Sequence, residues 1–201
     1  GPEGRPRLAP FGALPAPDAE SPPPAECAAI IRNHLRLAVR RQLRAEVPVG
    51  LLLSGGLDSS SLAVLAAQES SAPLHAFSLG FSESSFDESP HARFVADRCG
   101  FVHHHAVLTA DQAAACLPDA VACLDEPLFD PSLLPTFALM RFVRPNAKVV
   151  LGGEGGDELF GGYPAFQAHR LAEGLARLPA PVWNAIARGV RRRPAFARYA
   201  S

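Results

Sequence analysis

"VGLLLSGGLDSS", residues 49–60, sets an apolar run directly against two glycines and then a row of hydroxyls. The run 49–53 has the length and composition of a buried strand, and Asp58 stands where a helix would open. Ser54, Gly55 and Gly56 make the turn between them. Glycines let the backbone curl through positive φ, so that several N–H groups can point at one place. The following helix adds its unsatisfied N–H groups and the positive end of its dipole, and Ser54, Ser59 and Ser60 add hydroxyl donors. This is the chemistry of a phosphate cradle. It is not a Walker A loop, because GxxxxGK[ST] is absent and no lysine is near. A bare glycine pair would read equally well as a turn before an Asp-Ser helix cap. The full seven-residue string after an apolar strand favours the cradle.

Working outward, three more apolar runs follow, at 74–81, 101–108 and 148–151, separated by helix-like stretches near 58–68, 89–99, 110–124 and 132–143. Strand and helix in this rhythm predict a parallel sheet wrapped by helices, and the runs are apolar on both parities, as in strands covered on both faces. In such sheets ligands bind beyond the carboxyl ends of the strands. Both glycine-rich stretches lie there, one after Leu53 and one after Leu151, so fold and motifs point to one crevice.

Upstream, residues 26–45 form an amphipathic pattern, with Cys27, Ile31, Leu35 and Ala38 on one face and Arg32, Arg36, Arg40 and Arg44 on the other. The arginine stripe reads as a solvated helix face rather than a polyanion site. Residues 1–24 carry eight prolines, at 2, 6, 10, 15, 17, 22, 23 and 24; such a segment neither continues a helix nor donates to a sheet, and it is read as a linker before a domain at 25–201. Downstream, a helix is expected over roughly 165–178, and the basic cluster 191–193 as an exposed helix end.

Bulk properties narrow the classes. The 201 residues suit one domain plus a tail, and 48% hydrophobic content is that of a globular chain. A net charge of −1 gives no basic field for nucleic acid or an anionic membrane. No apolar run approaches a bilayer span, and the N-terminus lacks the order of a signal peptide. Four cysteines without a CxxC pair, Cys27, Cys99, Cys116 and Cys123, are expected to be small buried hydrophobes in a reducing, cytoplasmic setting.

The second loop, "GGEGGDELFGGY" at 152–163, crowds Glu154, Asp157 and Glu158 among glycines. Asp58 and Asp157 follow two strands of one sheet and can share its crevice. Two carboxylates about 4 Å apart repel by about 4 kcal/mol at an effective dielectric near 20, a cost that a cation between them removes. Hard oxygen ligands beside phosphates suit Mg²⁺. Three adjacent histidines, His103 to His105, look like a metal cluster, but alternation along a strand prevents their convergence; they are expected to be strand residues near the site.

These strings, with "FSLGF", "SFDESPHARFVA", "LDEP" and "DPSLLPT" in the same order and spacing, resemble the synthetase domain of the asparagine synthetase family, within the ATP pyrophosphatases. The resemblance covers roughly residues 26–180. It implies a doubly wound parallel α/β sheet of the adenine nucleotide alpha hydrolase type. It also implies ATP and Mg²⁺, with Asp58 and Asp157 as magnesium ligands and the loop 54–60 as the pyrophosphate site. Leu52 and Leu79 match positions that hold adenosine, and Gly152 and Gly153 match a nucleotide-contacting pair whose first member is often serine. Glu154 matches an acid near the acyl substrate, as general base or positioning group. Asp87, Asp125 and Asp130 lie in matching motifs on the substrate side, where turn or cap roles are equally open. The implied reaction activates aspartate as an acyl adenylate, releases pyrophosphate, and lets ammonia from glutamine displace AMP. Two departures are visible. From Gly1 the chain reads as linker rather than as the family's glutaminase domain with its N-terminal cysteine, and Lys148, the only lysine, does not match the catalytic lysine that the family places further along. The expectation is a fragment, truncated at the C-terminus, or a split subunit completed by another chain. A relative making a different amide, of the β-lactam synthetase or lasso-peptide cyclase type, and a non-catalytic nucleotide-binding module remain alternatives.

Overall fold

The computed structural model describes residues 10, 12, 22–83, 85, 87–176 and 181–182. Most of the expected linker and the basic cluster 191–193 lie outside them. The elements run α1 (Pro24–Gln42), β1 (Val49–Leu52), α2 (Leu57–Glu69), β2 (His75–Phe81), α3 (Ser89–Cys99), β3 (Val102–Leu108), α4 (Ala110–Ala122), α5 (Leu133–Val143), β4 (Val149–Leu151), α6 (Gly156–Phe160) and α7 (Pro164–Ala176). Pro24 begins α1, at a position where the missing N–H costs nothing because the first turn has no use for it.

The four strands form one parallel sheet in the order β3-β2-β1-β4. The chain steps outward from β1 through β2 to β3, then returns to the other side of β1 for β4. The order therefore reverses between β1 and β4, and both glycine-rich loops leave the sheet at that reversal. Helices cover both faces. On one, Leu53, Ala63, Ala76, Ala92 and Ala96 join the sheet to α2 and α3, and Val39, Leu51, Leu65 and Ala66 bring in α1. On the other, Phe77 packs with Val143 and Ala147 against α5. Leu51, Leu53 and Phe77 are the largest fully buried side chains, and each contributes about 1.5–3 kcal/mol of burial. Leu51 and Leu53 lie at the carboxyl end of β1, at the base of the first loop. The expected doubly wound α/β sheet is the one observed.

The histidines alternate as expected, with His104 on the α5 face and His103 and His105 on the other. The cysteines depart from expectation: Cys27, Cys99 and Cys116 are only half-buried and Cys123 is exposed at the end of α4. Helical spacing sets which side a residue faces, but these helices cover the sheet too thinly to bury that side. In the arginine stripe, Arg36 and Arg40 reach Glu69 on α2 at 3.8 and 3.7 Å. Among the described residues no helix is long and apolar enough to cross a membrane.

Candidate functional site

The turn after β1 is held by its own hydroxyls. The backbone N–H of Gly56 donates to Ser54 Oγ at 3.2 Å, Ser54 Oγ and Ser59 Oγ share a hydrogen bond of 3.0 Å, and Ser59 Oγ reaches the Gly56 carbonyl at 3.3 Å. Gly55 has φ +86°, and a Cβ there would stand 2.5 Å from the backbone nitrogen of Ala92 on α3. Glycine is required both for the turn and for the close approach. Gly56 caps α2 without a side-chain hydrogen bond, so the first N–H groups of that helix remain open toward the sheet edge.

The turn after β4 folds onto this cradle. A Cβ on Gly153 would lie 3.0 Å from Asp58 Cβ and 3.1 Å from the Ser59 nitrogen, and one on Gly156 would run into the Asp58 carboxylate. The carboxylate of Asp157 lies against Gly162. Asp58 and Asp157 both line one crevice of about 780 Å³ at the reversal of strand order, together with Leu52, Leu79 and Glu154. Of the remaining expected residues, Ser54, Gly56, Ser59, Gly152 and Gly153 also line it. Gly55 lies behind the turn against α3. Ser60 faces the neighbouring groove between α1, α2 and α6; its backbone N–H donates to the Gly56 carbonyl and its Oγ is buried without a partner.

The crevice is acidic. Asp58, Glu88, Glu154, Asp157 and Glu158 line it, and no lysine, arginine or histidine does so among the described residues. No cluster of three or more His, Cys, Asp or Glu side chains among those residues is built to hold a metal alone. That donor set fits Mg²⁺, which takes one or two carboxylates and fills its shell with water and substrate phosphates. At the far end of the second loop, the Tyr163 hydroxyl donates to Glu158 Oε1 at 2.6 Å. This bond pushes the phenol up to about 12 and holds the Glu158 carboxyl below its ordinary value.

Asp87, Asp125 and Asp130 are not brought into the crevice. Asp87 accepts hydrogen bonds from the backbone and hydroxyl of Ser89, and Asp130 accepts from the Ser132 nitrogen at 2.8 Å; both therefore close turns entering helices, which lowers their pKa values. Asp125 is exposed. Sequence reasoning missed Ser78, Thr136 and Tyr163 as crevice residues. For Ser78 the signal was present, since it precedes Leu79 at the carboxyl end of β2.

The Asparagine synthase family model matches residues 30–200. A putative glutamine-hydrolyzing asparagine synthetase of Mycobacterium bovis is 41% identical over 145 residues, which are 72% of this chain and 22% of that protein. Asparagine synthetase [glutamine-hydrolyzing] 1 of Bacillus subtilis is 34% identical over 149 residues, 74% of this chain and 23% of that protein. The chain thus spans about a quarter of the length of these relatives. A solved NH3-dependent NAD synthetase from Campylobacter jejuni is similar at 17% identity and a TM-score of 0.44, over 67% of this chain and 60% of that one. With its two glycine-rich loops meeting at one crevice, the chain belongs to the asparagine synthase family.

Proposed function

We propose that this chain supplies the ATP site of an amide-forming ligase. In the reading that fits best, aspartate attacks the α-phosphorus of ATP, pyrophosphate leaves into the loop 54–60, and ammonia drawn from glutamine displaces AMP from the acyl adenylate. The observation that carries this reading is the packing of the Asp58 carboxylate against Gly156, which sets the two loops around one space. The open N–H groups at the start of α2 and the Ser54 and Ser59 hydroxyls lie where charge grows on the departing pyrophosphate, and fixed donors there stabilise the transition state. Leu52 and Leu79 form the apolar wall for adenosine, Gly152 and Gly153 leave room beside it, and Glu154 lies within the same crevice to position or deprotonate the amine. Asp58 and Asp157 would hold Mg²⁺, which would supply the positive charge that no lining side chain provides.

Five carboxylates around a triphosphate also call for cationic groups from elsewhere. Further polypeptide would complete the site, with a glutaminase domain or subunit as the source of ammonia. A cytoplasmic setting goes with that chemistry. The test is pyrophosphate release dependent on aspartate in the complete enzyme. Asp58→Ala is expected to lower it by more than about 100-fold; turnover at the wild-type rate would overturn the assignment.

A further inference from the structure

The crevice has a neighbour that the nucleotide loops do not use. A groove runs between α1 and α2 and ends at α6, walled by Ile31 and Leu35 on α1, Val64 on α2, and Leu159 and Phe160 on α6. Its lining is apolar but uncovered: Leu57 is 84% exposed, Leu159 80% and Val64 46%. The groove opens into the crevice, because Leu57, Asp58, Gly153, Glu154, Gly156 and Phe160 line both. At that end the Ser60 hydroxyl, in the first turn of α2, is buried without a hydrogen-bond partner among the described residues. Contiguous apolar surface beside a site marks a place where another element docks.

The sequence beyond α7 carries a segment of matching form. Pro181 and Val182 are helical, and residues 183–193 lie outside the described residues. Trp183, Ile186, Ala187 and Val190 recur at i, i+3, i+4 and i+7, and Arg191, Arg192 and Arg193 follow before Pro194. At about 100° per residue, Arg191 and Arg193 flank the apolar stripe. Lengths agree as well. A helix over 181–193 would be about 20 Å long, and the groove extends about 17 Å along α2 from Leu57 to Gln68. α7 spans the same distance, about 20 Å, from Pro164, just beyond Phe160. A hairpin through residues 177–180 would therefore return the arginines to the level of α6, at the crevice end of the groove. Charge favours that direction. Asp58 and Glu154 line the groove there, and the crevice beyond has five carboxylates and no cationic side chain among the described residues.

We propose that residues 183–193 of this chain dock in the groove as the return arm of a helical hairpin and place Arg191 and Arg193 at the mouth of the crevice, facing the phosphates of a bound nucleotide. The docking stands apart from the ATP reading, whereas the role of the arginines rests on it. A guanidinium pairs with phosphate oxygens through two parallel hydrogen bonds and keeps its charge at any working pH.

The test uses Trp183, the only tryptophan in the chain. In the full chain without nucleotide, its emission is expected to lie to the blue of the urea-unfolded chain and to resist quenching by acrylamide. Val64→Glu, at an exposed position in the groove wall, should shift the emission to the red and restore quenching with circular dichroism unchanged. Val107→Glu, similarly exposed but on β3, should do neither. A wild-type Trp183 as accessible as in urea, or emission indifferent to Val64→Glu, would overturn the docking. A blue shift that grows with chain concentration would overturn it too, giving the groove to a second copy. Calorimetry then reads the arginines: Arg191→Ala with Arg193→Ala should weaken Mg²⁺-ATP binding about 10-fold while Trp183 stays buried. Unchanged affinity would overturn their role. Wild type that buries Trp183 but binds no Mg²⁺-ATP would remove the ATP site and leave the docking standing.

Discussion

Gly55 and Gly155 share almost the same backbone, φ +86° and +87°, in two loops that face one crevice, yet their surroundings are opposite. A side chain on Gly55 would be driven into the backbone of His91 and Ala92, whereas one on Gly155 would meet nothing within 4 Å. The first loop stands on Leu53, 2% exposed, and is braced by Ser54 and Ser59. The second carries α6, which buries no residue and leaves Leu159 80% exposed. One loop is part of the core, and the other lies over it. The two loops divide the labour: the first, proposed as the anion cradle, is set rigidly by the sheet, while the acidic loop is placed mainly by its contacts with the first loop and with itself.

Substitution of the paired glycines breaks the comparison most directly. Gly55→Ala is expected to cost about 3 kcal/mol, combining the left-handed backbone with a collision against α3. Gly155→Ala should cost only the backbone part, about 1–2 kcal/mol. Urea unfolding of the two variants measures the gap; equal losses would mean that the first loop is no more rigid than the second.

A smaller effect sharpens the account of the acidic loop. The Tyr163 phenol, raised from 10 to about 12 by its bond to Glu158, contributes stability that is complete below about pH 10 and lost as pH rises through about 12. The Glu158 carboxyl is lowered by the same bond, so its contribution is present above its unfolded pKa and fades as pH falls through the folded one. Ultraviolet titration of the phenol is expected to show a midpoint near 12 that drops toward 10 in Glu158→Gln. An unshifted midpoint would show that this pair does not hold the loop.

Much of this was readable in the sequence because burial and periodicity agree there. Residues 49–53 are apolar throughout and lie in the sheet to within one residue, and strand alternation alone separated His104 from its neighbours. Helical period also carried information left unused. Ser59 and Ser60 are about 100° apart around α2, so they face different grooves, and the crevice receives Ser59. The five residues of α6 were illegible because glycines on both sides give the pattern of a loop. The turn roles of Asp87 and Asp130 could not be separated from substrate roles either, since a carboxylate two residues before a serine suits both.

The central claim is that Asp58 and Asp157 hold one ion between the two loops. Its most direct test is a double-mutant cycle of Asp58→Asn and Asp157→Asn, read as Mg²⁺-dependent ATP affinity in the complete enzyme. If both carboxylates serve one ion, each single variant falls nearly as far as the double and the effects are strongly non-additive. Independent losses that simply multiply in the double variant, or no loss in either single one, would contradict it.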